Sequence, residues 1–163
     1  MLVYRASRKP RSAFEPLDAS ASVARDGWRF NDKRSPILYA AEVQSLAILE
    51  VVSRPGWSHL TELTIAAIEV PERSIVDLDD LDFLLPTNWN VRPAGPNAQS
   101  IGGEFLKAVD QAAKDGRQIC GLRVPSVIST TDCNVLLDPR QCDQYNIAEW
   151  TRIPFNWLVA TAT

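Results

Sequence analysis

Proline cuts this chain into short pieces, and that limits what it folds into. Eleven of the 163 residues are proline. Pro10 and Pro16 keep the segment up to about residue 22 irregular, because proline fixes φ and has no backbone donor. Pro55-Gly56, Pro71, Pro125, Pro139 and Pro154 each close or follow an apolar run. Between them the pattern predicts strands at about 1–6, 37–41, 62–70, 75–78, 119–124, 134–138, 147–150 and 155–160. Only two stretches read as helices. One runs over about 43–53 and is stopped by Pro55-Gly56. The other runs over about 104–115, with Phe105, Ala108, Val109 and Ala112 as its stripe and Gly116 as its stop. Residues 79–100, which include Trp89, form a long connection. There is no internal repeat and no regular βαβ alternation. The fold class expected is α+β, one compact domain over 1–163.

The first helix contains an anomaly. Val43, Leu46, Ala47 and Glu50 fall at i, i+3, i+4 and i+7, so Glu50 shares the stripe of the apolar residues. The rest of this helix is apolar nearly all round, which predicts burial on more than one side. A carboxylate in such a stripe is hydrogen-bonded, paired or functional. Upstream, Gly27-Trp28-Arg29-Phe30-Asn31 sets an arginine between two aromatics. After the polar turn Asn31–Pro36, the strand at 37–41 carries Tyr39. A loop, a strand and a helix can thus bring Arg29, Tyr39 and Glu50 to one cleft. Each has a plainer reading: Arg29 as a stacked loop arginine, Tyr39 as a core aromatic, Glu50 as a buried structural carboxylate.

Composition and motifs exclude several function classes. A net charge of −3 announces no nucleic-acid or membrane-binding face, and the basic stretch Arg5, Arg8, Lys9, Arg11 reads as a solvated loop. No apolar run is long enough to span a bilayer, and the N-terminus has no signal pattern, so a cytoplasmic protein is expected. Cys120, Cys133 and Cys142 have neither disulfide nor Cys-x-x-Cys spacing, and His59 is the one histidine, so no metal is expected. His59 lies in a loop sequence without a nucleophile elbow, which disfavours a Ser-His-Asp hydrolase. Neither common phosphate loop is present. Gly102-Gly103 before the second helix is a weak anion-site signal. Trp57, Trp89, Trp150 and Trp157 read as packing residues, and the cysteines as buried or half-buried thiols.

What remains is one carboxylate, one arginine, one tyrosine and small hydroxyls. That set suits cleavage of a glycosidic bond with a good leaving group, such as nicotinamide in NAD. A fixed negative charge stabilises the oxocarbenium-like transition state, and an arginine matches a diphosphate.

Five blocks in order resemble a known family. Tyr4-Arg5, Gly27-Trp28-Arg29-Phe30-Asn31, Pro36–Ala41 with Leu46–Glu50, Leu122–Ser126 and Asn134–Pro139 are similar to the motifs of RES-domain toxins. Trp28 stands where that signature has its second glycine, Phe30 at its tryptophan and Asp138 at an asparagine. The resemblance implies an ADP-ribosyltransferase-like fold with a split antiparallel or mixed sheet and flanking helices. It implies the toxin half of a bacterial Xre–RES toxin–antitoxin pair that consumes NAD. The implied active-site residues are Glu50, Arg29 and Tyr39, with Arg29, Tyr39, Ser126, Arg5 and Asn134 contacting NAD. From the residues alone, Ser126 is equally a turn-making serine. A Xre-like antitoxin that blocks the pocket, in a hetero-oligomer, is the implied partner. In the activity so implied, the ADP-ribosyl group passes to water or phosphate. Alternatively it passes to a protein, although many such transferases carry a second glutamate two residues before the first, where this chain has Ile48. A reading of another class is an inert antitoxin-binding module.

Overall fold

A computed structural model describes residues 1–24, 26–53 and 62–154. The stop at Pro55-Gly56, His59, Trp57, the strand expected at 155–160 and Trp157 lie outside the described residues.

The strands are β1 (Leu2–Ser7), β2 (Leu38–Ala41), β3 (Glu62–Glu69), β4 (Ile75–Val76), β5 (Gly121–Pro125), β6 (Cys133–Leu137) and β7 (Asn146–Pro154). They form one sheet in the order β4-β5-β6-β2-β1-β3-β7. β4 pairs parallel with β5, and every other pair is antiparallel, so the sheet is mixed. The expected α+β class is the observed one. β3 is buried on both faces from Leu63 to Ile68, which is why that stretch is apolar except for Thr64. β7 runs to Pro154, longer than its predicted core, because it follows β3 along its whole length, with a bulge at Ala67/Ile68.

Among the described residues, two α-helices flank the sheet. α1 spans Gln44–Val52 and α2 spans Pro96–Lys114. α1 has only nine residues and no side-chain N-cap, too little to be stable alone. It is held by Leu46 and Ala47, which pack with Ala41 of β2 and with Tyr4 and Ala6 of β1, and by Val51 against Leu63. Leu49 is 45% exposed and Val43 36%, so α1 is buried on one side only. Val43 sits at the N-cap, outside the stripe its spacing suggested.

α2 starts eight residues earlier than its pattern predicts. Gly95 is the N-cap and Pro96, at the first position, is pre-set for a helix. Gly102 and Gly103 therefore lie inside α2, and the anion site suggested at their N-terminal side does not exist. The reason for Gly102 is contact. Its N–H lies 2.6 Å from the Phe30 carbonyl, and a Cβ there would come within 2.4 Å of the same oxygen. At the other end Gly116 (φ +71°) is the predicted stop. Gly116 N–H bonds the Ala113 carbonyl and Arg117 N–H the Ala112 carbonyl, which completes a Schellman motif.

The alternation along β6 sorts the core into two layers. Leu136 packs with Phe105, Val109 and Leu122 under α2, while Val135 and Leu137 pack with Val3, Leu38 and Ile68 on the opposite face. Burying a side chain such as Phe105 contributes roughly 1.5–3 kcal/mol. The 79–100 connection lies over the α2 layer, with Leu81, Phe83, Leu85 and Trp89 against it. Trp89 and Trp150 are packing residues as expected, Trp150 meeting Phe14 edge-on at 5.8 Å. Cys120 is buried, Cys133 half-buried and Cys142 exposed. Among the described residues no helix is long and apolar enough to cross a membrane.

Candidate active site

The sheet parts between β1 and β2. These strands share a single register pair, Tyr4↔Ala41. Beyond it, Arg5 and Ala6 of β1 and Ala40 and Tyr39 of β2 line a cleft instead of pairing. The cleft has a volume of about 820 Å³. Glu50, Arg29 and Asn134 also line it, as do Pro125 and Val127 on either side of Ser126.

Glu50 sits in the last turn of α1, where the helix macrodipole disfavours an anion by roughly 0.3–1 kcal/mol. Two donors from the far half of the sheet hold it. Ser126 Oγ donates to Oε1 at 3.1 Å and Asn134 Nδ2 donates to the same atom at 2.8 Å. Ser126 is buried, and its Oγ also accepts from the Ile128 and Ser129 N–H groups, which fixes its direction. Glu50 Oε2 makes no hydrogen bond among the described residues.

Arg29 lines the same cleft from the 27–31 turn. The turn that carries it needs Gly27, whose φ is +84° and where a Cβ would sit 2.2 Å from the Asn31 carbonyl. Trp28 and Phe30 do not sandwich the guanidinium. Trp28 tilts onto the Tyr39 ring at 4.9 Å, and Phe30 turns inward to stack on Trp89 at 6.0 Å. Arg29 Nη1 donates to the Trp89 and Val91 carbonyls at 2.7 and 2.9 Å. Nε and Nη2 have no partner among the described residues. Burial and the nearby Arg92 guanidinium push the Arg29 pKa below its ordinary value, and Glu50 opposes that shift.

Tyr39 does structural work at this site. Its hydroxyl accepts from Phe30 N–H at 3.0 Å and donates to Asn31 Oδ1 at 2.8 Å. Asn31, fully buried, also donates to the Ser22 and Asp32 carbonyls. Arg5 lines the cleft, but its guanidinium grips the Pro16 and Asp18 carbonyls and lies 5.9 Å from the Phe14 ring centre. The structure thus joins Glu50, Ser126 and Asn134 by direct bonds, and brings Arg29, Tyr39 and Arg5 to the same cleft without direct bonds to that trio.

Several contributors are not among the residues expected at the site. Arg8 and Lys9 line the cleft, and Arg8 Nη2 caps the C-terminus of α1 through the Val51 carbonyl at 2.8 Å. The basic stretch is therefore more than a solvated loop. Arg92 comes from the long connection, and Gln99 of α2 ties the Asp26 and Trp28 carbonyls. Among the described lining residues, Arg5, Arg8, Lys9, Arg29 and Arg92 face Asp26 and Glu50, an excess of positive charge in a chain of net −3. Asp138, at the family's asparagine position, is buried and paired with Arg140, which also reaches Asp110 of α2. No group of three or more His, Cys, Asp or Glu side chains suited to a metal ion occurs among the described residues.

Comparison with known proteins identifies relatives of this chain. The RES domain model matches residues 2–157. A protein of Yersinia enterocolitica named Toxin Res is 36% identical over 115 residues, 70% of this chain and 69% of that protein. Toxin Res of Photorhabdus laumondii is 31% identical over 144 residues, 88% of this chain and 85% of that one. A Sphingobium protein named Prs ADP-ribosylating toxin is 30% identical over 137 residues, 82% and 80% of the two chains. A chain in the crystal structure of the M. tuberculosis MbcT–MbcA toxin–antitoxin complex has the same fold, with a TM-score of 0.66 and 15% identity over 94% of this chain and 84% of that chain.

Proposed function

The chain belongs to the RES domain family, and on that premise we propose that it is a toxin of a toxin–antitoxin pair that consumes NAD by cleaving the nicotinamide–ribose bond. One observation carries the reading: the Glu50 carboxylate, held through Oε1 by Ser126 and Asn134, shares a cleft with the half-free guanidinium of Arg29. An anion and a cation fixed in one cleft suit a substrate with a diphosphate at one end and a developing positive charge at the other.

The steps follow from that arrangement. Arg29 binds the diphosphate through Nε and Nη2, while Nη1 stays on the Trp89 and Val91 carbonyls. Tyr39 holds the Arg29 turn through its hydroxyl and lines the cleft beside it. Glu50 Oε2 takes a ribose hydroxyl and lies against the ribose. Nicotinamide departs from C1′ with the bonding electron pair, which neutralises its pyridinium charge and leaves the cation on the ribose. Glu50 stabilises that cation. Water then attacks C1′ and loses a proton, giving ADP-ribose, or phosphate attacks and gives ADP-ribose phosphate.

The name of the Sphingobium relative favours a second reading, transfer of the ADP-ribosyl group to a protein. Ile48, two residues before Glu50, is half-buried beside Val51 and Leu63, so that position offers no second carboxylate. Mass spectrometry of reactions with labelled NAD separates the readings: a small labelled product supports the first, a labelled polypeptide the second. The partner is an antitoxin, Xre-like by resemblance, that covers the cleft. Val127, 39% exposed at the cleft wall, is apolar surface such a partner would bury. Loss of NAD in cells after induction of the toxin without its antitoxin tests the activity. Constant NAD levels would leave the inert antitoxin-binding module as the better account.

A further inference from the structure

We propose that Arg92 is a second binding residue for the diphosphate, so that Arg29 and Arg92 together clamp it from the 27–31 turn and the 86–95 connection. The inference rests on the NAD-consuming reading above. Both side chains line the same cleft. Their nearness is built in, because Arg29 Nη1 donates to the Val91 carbonyl, and Arg92 is the next residue. One guanidinium thus holds in place the segment that carries the other.

The charge balance points to the ligand. Arg92 is exposed and neither arginine is paired with a carboxylate among the described residues. Burial and Arg92 both work against the charge on Arg29. Keeping two unneutralised cations together costs free energy unless a ligand with two adjacent negative charges lies between them. A diphosphate has that form, and each guanidinium matches one phosphate through bidentate hydrogen bonds. Gln99, in the first turn of α2, lines the same wall, and the positive end of a helix adds to the anion preference. A single phosphate would engage one arginine and leave the other unneutralised.

Steady-state NAD turnover by the wild type and by Arg92→Ala tests the proposal, together with competitive inhibition by ADP and by AMP. Arg92 is exposed, so the variant keeps its fold. The expected result is a KM for NAD raised about tenfold with kcat nearly unchanged, the pattern of lost uniform binding. ADP inhibition weakens about tenfold as well, AMP inhibition much less, and Arg92→Lys recovers part of the loss. An unchanged KM, a fall in kcat alone, or equal losses for ADP and AMP would overturn the clamp. If the wild type itself turns over no NAD, the parent reading fails. Then direct binding decides the clamp: ADP weakened by Arg92→Ala more than AMP upholds it, and equal binding rejects it.

Discussion

Asn134 Nδ2 lies 2.8 Å from Glu50 Oε1, a bond between residues 84 apart in sequence. It joins β6 to the last turn of α1 across the floor of the cleft. With the Ser126 hydroxyl on the same oxygen, it leaves Oε2 without a hydrogen bond among the described residues, as the atom proposed to meet substrate. Asn134→Ala should therefore lower kcat roughly tenfold, about 1.4 kcal/mol on the barrier, with KM less affected. Asn134→Asp should lose more, since it sets a second carboxylate against the first. Steady-state kinetics on both variants, with circular dichroism as the fold control, checks this.

Tyr39→Phe removes one hydroxyl and strands two groups, the Phe30 N–H and the Oδ1 of fully buried Asn31. Unsatisfied buried polar groups cost about 1–3 kcal/mol each. Urea denaturation should show a loss in that range. Because the freed turn carries Arg29, KM for NAD should rise as well. A variant of full stability with a raised KM would instead assign Tyr39 a direct contact with substrate.

Gly102→Ala forces a Cβ to within 2.4 Å of the Phe30 carbonyl, a backbone atom that cannot swing aside. Either α2 or the 27–31 turn must retreat, at roughly 1–3 kcal/mol for overpacking. Both stability and NAD turnover should fall. Gly103→Ala meets only Ser35 Oγ at 3.2 Å and should be far milder, which makes it the matched control in a thermal melt.

Alkaline pH should weaken the fold through the layer opposite α2. The Tyr145 hydroxyl donates to the Cys120 and Asp138 carbonyls, each at 2.9 Å. Burial pushes both the Tyr145 phenol and the Cys120 thiol above their ordinary values of 10.0 and 9.0. A raised folded-state pKa stabilises fully below the unfolded value and is lost as pH climbs toward the folded one. Stability should hold below pH 9.0, then fall as unfolded thiol and phenol ionise. Denaturation midpoints across that range measure it, and Tyr145→Phe should flatten the upper part of the slope.

Much of this was legible before any coordinates, for identifiable reasons. The Glu50 anomaly was visible because a helical stripe has a period, and a charge on it stands out. β2 and β3 were bounded by turn chemistry or proline. Gly116 ended α2 by the glycine rule for helix C-termini. The early start of α2 was hidden because Gly95-Pro96 reads equally as the end of a loop, and because Gly102 is a residue of close contact inside a helix. Arg92 and Gln99 carried no signal at all, and Arg8 showed only as part of a basic stretch. Their roles depend on which strands part and on where a long connection folds back, which are properties of the sheet as a whole. The hydroxyl duties of Tyr39 were likewise invisible, since spacing shows which face a ring takes and not what its oxygen bonds.

The carboxylate of Glu50 is proposed to drive NAD cleavage. The most direct test is NAD turnover by the purified chain and by Glu50→Ala, with binding of ADP as the check on an intact cleft. The account predicts that the variant binds ADP nearly as well as the wild type and loses at least roughly 100-fold in kcat, the scale of removing one preorganised electrostatic group. Full turnover by Glu50→Ala, with a correctly folded protein, would contradict it.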